Sequence, residues 1–445
     1  MLLRIDRRPK VHDARFLGSS SISIKIPRSA LVVATGMSGA LATDAPAGAR
    51  QAGPSLIPTA EDGMDTARFE ALIDSVRHFI RQDVVSREAE IEDKDAVPAD
   101  IRDKAVGMGL FGYTLPEAYG GLGLNSIEDV RLAIEFGYTT MAFRSMFATN
   151  VGLAGKVLVN AGTEDQKRNW LPRLAKGAVA SFALSEPEAG SDPSGMKTRA
   201  VRGDDGGFVI SGAKRFITNA PVADVFMVFA RTGTGAKPAD GISCFLVEAG
   251  TPGLSVGPKD VKTGQAGSLS SAVFFDEMKV PHSALVGGVE GVGFATAMRS
   301  LAGGRLNVAA LSVGMTQRLL EESVAYAKNN KQGGHPIGEF QLVQAMLAET
   351  RTELDAGREL VLAAARRYQA GTDTKIGPST AKLFCTETAV RAADRAVQIH
   401  GGLGYMRGTP VERLSRDARV LPIYEGTSEI QKLIIGRALL RAGEH

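Results

Sequence analysis

Apolar positions first take on a helical period after Asp65. Phe69, Leu72, Ile73, Val76, Phe79 and Ile80 recur at three- and four-residue steps, which draws one stripe along a helix. The stretches 100–108, 127–138 and 165–174 repeat that period, and three glycines within 116–123 mark a turn between two of them. From about Ala180 the pattern changes to short β-branched and aromatic runs at 208–210, 225–230, 243–247 and 272–275. Gly, Pro and Asp clusters separate these runs, the rhythm of an antiparallel β-domain rather than of βαβ units. After Pro281 long helical patterns return at 293–314, 316–329, 340–369, 379–401 and 428–441, lengths that suit an antiparallel bundle. The expected architecture is helices, then a small β-domain, then helices, with no internal repeat.

Composition narrows the class. A chain of 445 residues suggests about two to four domains. The boundaries drawn from the pattern are 1–60 as an N-terminal extension, 61–179 as a helical domain, 180–290 as a β-domain and 291–445 as a helical bundle. A net charge of +3 leaves any basic site local and argues against nucleic-acid binding. Cys244 and Cys385 are the only cysteines, so a disulfide framework and a cysteine-rich zinc site are excluded and a reducing compartment fits. No metal site is expected. No run of 18 apolar residues appears, so membrane insertion is not expected either.

Residues 1–28 hold seven Lys and Arg against Asp6 and Asp13, and a Gly/Ala/Pro-rich stretch follows. The expectation there is a disordered extension, or upstream sequence with translation starting at Met37 or Met64. A mitochondrial transit peptide is the alternative. The location expected is accordingly cytoplasmic in a bacterium, or the mitochondrial matrix if the basic segment is a transit peptide.

Four segments carry candidate chemistry. Residues 183–192 (Ala-Leu-Ser-Glu-Pro-Glu-Ala-Gly-Ser-Asp) mix hydroxyls and backbone donors around a Pro/Gly turn, which suits a polar ring or phosphate as well as a plain loop. Phe216 and Thr218 share one face of a strand, where an aromatic could lie on a flat cofactor and a hydroxyl could bond its edge. Gln398, His400 and the glycines that follow read first as a helix C-cap, with His400 a packed or surface residue. In the Tyr424-Glu425-Gly426-Thr427-Ser428-Glu429 segment, Thr427 or Ser428 can cap the last helix. Glu425 stands just outside it beside a flexible glycine, where partial desolvation makes a carboxylate a better base.

Together these segments resemble the acyl-CoA dehydrogenase family, in order and across about 65–440. The resemblance implies an α+β fold of an N-terminal α-helical domain, a middle antiparallel β-barrel-like domain and a C-terminal four-helix bundle. It implies non-covalent FAD and oxidation of an acyl-CoA thioester to the trans-2-enoyl-CoA. Glu425 matches the base that removes the α-proton while the β-hydride passes to flavin N5. Some relatives carry the base just before an arginine of the first bundle helix; here that arginine is Arg305 and the preceding residue is Gly304, which has no side chain. Phe182, Leu184, Ser185, Phe216, Ile217 and Thr218 match the flavin-binding segments, and Thr427 and Glu429 match residues near the adenosine-diphosphate half. Gln341, Gln398, Gly401 and Gly402 match positions that reach a neighbouring subunit's FAD. Ser191, Arg305, Tyr424 and Gly426 match the substrate side. The partners implied are electron-transfer flavoprotein and further copies of the chain, as a tetramer or dimer.

The sequence departs from the family at several points. Phe216 replaces a frequent tryptophan. Asn330 and Gly333 replace the Arg and Phe of an Arg-x-Gln-Phe-Gly segment, which removes a bidentate phosphate contact and an aromatic contact. Ala302 and Ala266 replace an acid and an arginine on the CoA side. Rival readings are a same-fold acyl-CoA oxidase or flavin monooxygenase, or a non-catalytic FAD or acyl-CoA binder. Glu425 weighs against the monooxygenase and the binder.

Overall fold

The computed structural model describes residues 63–233 and 236–441. The basic N-terminal segment and the Gly/Ala/Pro-rich stretch lie outside the described residues.

The first layer holds α1 (Thr66–Phe79), α2 (Glu88–Lys94), α3 (Ala99–Gly107), α4 (Ser126–Phe136), α5 (Met141–Thr149), α6 (Gly155–Ala161) and α7 (Glu164–Ala175). Local signals set their starts. Asn125 and Glu128 form a capping box on α4, as do Thr163 and Gln166 on α7. The stripe on α1 buries Phe69, Ile73, Val76 and Phe79. Phe79, Phe136, Phe143 and Phe147 meet in tilted or edge-on pairs at 5.2–5.9 Å. Each such pair adds about 0.5–1.5 kcal/mol beyond area burial.

The middle layer is one seven-stranded sheet of β1 (Ala180–Ala183), β2 (Arg199–Arg202), β3 (Phe208–Thr218), β4 (Val225–Arg231), β5 (Ile242–Glu248), β6 (Leu254–Lys259) and β7 (Ser270–Val280). Its order is β1-β4-β2-β3-β7-β6, with β5 on the other edge of β4. The sheet is not wholly antiparallel, which corrects the sequence reading: β1 and β2 both pair with β4 in parallel. Both are only four residues long, too short to leave a pattern. β3 and β7 slip register twice, between Ile210 and Gly212 and between Lys214 and Ile217. The second bulge re-aims Phe216.

The last layer holds α8 (Gly293–Asn329), a hairpin of β8 (Lys331–Gln332) and β9 (His335–Pro336), α9 (Gln341–Gln369), α10 (Ile376–His400), α11 (Gly402–Tyr405), α12 (Pro410–Ala418) and α13 (Ser428–Arg441). α8, α9, α10 and α13 form the bundle. The sequence divides α8 in two near Gly314, whereas the helix runs through. That glycine serves a close approach: a Cβ there would lie 2.0 Å from the Ile134 carbonyl oxygen. Gly137 faces the Leu311 carbonyl in the same way. These two glycines let α4 and α8 touch backbone to backbone and fix the first layer against the bundle.

α5 joins the layers. Asn219 Nδ2 donates to the Ser145 carbonyl at 2.8 Å, tying α5 to the sheet. Arg144 Nη2 donates to Asn307 Oδ1 on α8 at 2.6 Å, tying it to the bundle.

Candidate functional site

Glu425 lies in the turn between α12 and α13. The turn is closed by the Ser428 N–H donating to the Pro422 carbonyl at 2.9 Å, and Thr427 Oγ1 caps α13 by accepting from the Ile430 N–H. Glu425 and Gly426 both adopt left-handed backbone, with φ of 52° and 93°. For glutamate this conformation costs about 1–3 kcal/mol and persists only where the surroundings enforce it. Here the Gly426 carbonyl accepts from Lys382 Nζ and from Gln431 Nε2, both at 2.9 Å. Both donors are fully buried. Among the described residues the Glu425 and Gly426 N–H groups donate to no protein group, so two backbone donors remain available beside the carboxylate.

The Glu425 side chain lies over α8. Its Oε2 stands 2.0 Å from where a Cβ of Gly304 would be, so only glycine leaves room for it. Oε2 is sealed from solvent and has no hydrogen-bond partner. That desolvation raises the Glu425 pKa, while Arg144, Arg305 and Lys382 act against the rise. Burial lowers the pKa of Arg305, with Glu425 opposing. Burial likewise pulls Lys382 down to about 8. Arg305 Nε and Ser379 Oγ are further sealed polar atoms without partners. Tyr424, pushed up to about 12 by burial, lies beside Gln265 and near Glu425.

The sheet supplies a second group. Glu186 accepts from the Lys197 N–H at 2.6 Å, the Thr198 N–H at 3.0 Å and Lys214 Nζ at 2.9 Å. Burial pulls Lys214 down to about 8, and the pair is retained because each charge is otherwise stranded. This pin holds the 184–186 loop against β3, where the Arg215 N–H donates to the Ser185 carbonyl at 2.9 Å. Beyond the pin, Phe216 sits in the bulge with φ of 59° and 67% of its surface exposed. The Arg215 guanidinium lies 4.6 Å from the ring centroid, and the rest of this exposed, backbone-strained ring is left as a platform. The hydroxyls of Ser185 and Thr218 make no hydrogen bond within the described residues. Leu184 and Ile217 are buried, and the Phe182 ring packs on Phe229 at 4.8 Å, so these three shape the loop from beneath.

The structure does not bring every candidate to one place. Gln398 lies sixteen residues beyond Lys382 on α10, roughly 24 Å at the usual rise. Gly401 and Gly402 follow it, and Gln341 opens α9 at the same end of the bundle; all four are exposed. Ser191 and Glu429 are exposed as well. His400 is buried, stacked on Tyr326 at 4.1 Å. Asn330 Nδ2 donates to the Tyr326 carbonyl and so closes α8. Gly333 and Gly334 have φ of 60° and 90°, which makes them the tight turn of the β8–β9 hairpin. Arg144 and Lys382 were missed from the sequence. The available signal was a lone cation inside an otherwise uncharged helix segment, Met141-Ala-Phe-Arg and Ser379-Thr-Ala-Lys.

Family models for the acyl-CoA dehydrogenase N-terminal, middle and C-terminal domains match residues 66–178, 181–278 and 291–440. The chain belongs to the acyl-CoA dehydrogenase family. Members of this family are flavoprotein oxidoreductases. An acyl-CoA dehydrogenase of Bacillus subtilis is 39% identical over 366 residues, covering 82% of this chain and 96% of its own. Butyryl-CoA dehydrogenase from Megasphaera elsdenii superposes with a TM-score of 0.81 at 34% identity, over 85% of this chain and 100% of that one. A chain in the structure of the electron-transferring flavoprotein of Acidaminococcus fermentans superposes with the same score, identity and coverage. As an acyl-CoA dehydrogenase, the chain keeps the helical, sheet and bundle layers of the family, and no helix among its described residues is long and apolar enough to cross a membrane.

Proposed function

We propose that the chain oxidises an acyl-CoA thioester to the trans-2-enoyl-CoA, with Glu425 as the base that removes the α-proton. The observation that carries this reading is one oxygen of the half-buried Glu425 carboxylate: Oε2 is sealed, without a hydrogen-bond partner, and held by strained backbone over a glycine. A carboxylate left unsatisfied at that cost has its partner in a ligand.

Desolvation strengthens Glu425 as a base, and the three cations keep it ionised until substrate arrives. The thioester carbonyl accepts from the free Glu425 N–H, so one residue supplies both the base and a donor for the developing negative charge. One such donor is typically worth roughly 3–4 kcal/mol. Arg305 and Tyr424 line the approach, and Gly426 with Ser191 faces the CoA.

The sheet group fits a flat aromatic cofactor. Phe216 would lie against its ring, and Ser185 and Thr218 would bond its edge, with Leu184, Ile217 and Phe182 as the support beneath. Thr427 and Glu429 would meet the adenosine-diphosphate half. FAD, when bound, supplies the acceptor for the β-hydride. Gln341, Gln398, Gly401 and Gly402 serve the FAD of a neighbouring copy, which their distance from Glu425 along α10 supports. Exposed Phe340, Leu403 and Tyr405 surround them, so a homo-oligomer covers this end of the bundle. Electrons leave to electron-transfer flavoprotein, a partner supported by the Acidaminococcus match.

The test is anaerobic addition of butyryl-CoA and longer acyl-CoAs to the purified FAD-loaded protein. Bleaching of the flavin band that persists until an acceptor is added is the expected result. Rapid recovery in air would assign an oxidase, and no spectral change with any thioester would overturn the reading.

A further inference from the structure

Lys214 occupies a core position. The buried residues of β3 are Phe208, Ile210, Lys214 and Ile217, so a lysine stands where the strand otherwise buries apolar side chains. It is fully buried, and its ammonium group has three partners: Glu186 Oε1 at 2.9 Å, the Leu184 carbonyl at 3.2 Å and Met196 Sδ at 3.7 Å. An ion pair this deep is weak evidence for stability, because apolar side chains of similar volume often serve a fold as well or better. What an apolar side chain cannot do is donate to the Leu184 carbonyl.

That hydrogen bond fixes a whole peptide. In a trans peptide the C=O and the following N–H point in opposite directions. The Leu184 oxygen points at the buried Lys214 ammonium, so the Ser185 N–H points away from it. The neighbouring groups are bound as well. The Ser185 carbonyl accepts from the Arg215 N–H at 2.9 Å, and the Glu186 N–H donates to the Ala189 carbonyl at 3.3 Å. Among the described residues the Ser185 N–H donates to no protein group. Of the two peptides that flank Ser185, this N–H is the one group left over. Ser185 is half-buried, and the strand residue next to its partner Arg215 is the exposed Phe216.

Resting on the flavin placement proposed above, we propose that Lys214 is a positioning residue: by holding the Leu184 carbonyl inward it presents the Ser185 N–H to the FAD ring. Sealed from solvent, Lys214 acts only through the Leu184–Ser185 peptide. An N–H held there favours the electron-rich reduced ring over the oxidised one, because a hydrogen bond to a charged acceptor is roughly twice as strong as one between neutral groups. The donor is oriented before any charge develops, so no reorganisation is needed when it does.

The experiment compares Lys214→Met with wild type by thermal melts of the apoprotein, the Kd of oxidised FAD and the midpoint potential of bound FAD. Methionine keeps an unbranched apolar stem and removes the donors. The expected result is a folded apoprotein whose bound FAD is harder to reduce. The reduced form is held about tenfold more weakly relative to the oxidised form, a fall of about 30 mV for a two-electron couple. Where Lys214→Met fails to fold because Glu186 is left without its cation, Lys214→Met/Glu186→Gln removes both charges and is read in the same way. A folded variant that loses FAD under conditions where wild type keeps it also supports the proposal. A folded variant that holds the two forms in the wild-type ratio, within about threefold, would overturn the proposal and leave the flavin placement standing. Failure of both variants to fold would assign the pair to the fold and overturn it as well. Wild-type protein that binds no FAD would overturn the placement and the proposal together.

Discussion

Glu425 Oε2 occupies the space that any side chain at Gly304 would need, 2.0 Å from the missing Cβ. The residue before Arg305 and the residue after Tyr424 thus compete for one volume. In this chain the glycine yields it to the glutamate. A base at either position would reach the same place, which explains in steric terms why only one is filled.

Gly304→Ala follows directly. The helix backbone tolerates alanine well, so the cost falls on the carboxylate, which must turn away. We expect a folded protein with kcat/KM for its acyl-CoA reduced by about tenfold or more. Unchanged turnover would mean that the carboxylate works from another rotamer.

Phe216 carries a separable cost. Glycine at that position relieves the left-handed strain of about 1–2 kcal/mol, and the ring it removes is mostly exposed. Phe216→Gly should leave the apoprotein as stable or slightly more stable, while FAD is lost on dialysis. Thermal melts of the apoprotein and flavin absorbance after dialysis check the two halves. Undiminished FAD retention would remove Phe216 from the flavin site.

Lys382 sets the acid limb of activity. It is one of three cations that oppose the raised pKa of Glu425, so Lys382→Met should raise that pKa further. The acid limb of kcat/KM, where Glu425 takes up its proton, then moves to higher pH. Because Lys382 also holds the Gly426 carbonyl, Lys382→Met is expected to lower activity at every pH as well. A limb that stays in place would assign the titration to another group.

Asp417 links stability to pH. It accepts from the Gln265 N–H beneath Tyr424, its Oδ2 has no partner, and burial raises it to about 7. The folded state therefore holds a proton that the unfolded chain has released, from about pH 4 to about 7. Stability from this group is present at the low end and lost as pH rises through that window. Asp417→Asn keeps the acceptor and removes the charge, so its Tm advantage over wild type should grow from pH 4.5 to pH 8. A constant difference would contradict the shift.

Much of the fold is legible in the sequence because its signals are local. The α1 stripe, the capping boxes and the Gly-bounded strand runs each report their own element. What was not legible depends on distant partners. Gly314 reads as an interruption until Ile134 is seen against it. The parallel pairing of β1 and β2 with β4 is set by tertiary packing, over four residue pairs for β1 and one for β2. The site divides the same way. Glu425 is marked by its neighbours in sequence, whereas Arg144 and Lys382 gain meaning only because α5 and α10 converge on it. The substitution of Asn330 and Gly333 is also explained locally, by a helix end and a tight turn, with no reference to the cofactor.

The central claim is that Glu425 moves the α-proton, and Glu425→Gln tests it most directly. The amide keeps the shape, so FAD content and acyl-CoA binding should match wild type. The rate of flavin reduction in a stopped-flow experiment with the preferred acyl-CoA should fall by about a hundredfold or more. A variant that reduces its flavin at more than about a tenth of the wild-type rate, less than roughly 1.4 kcal/mol of barrier, would contradict the assignment.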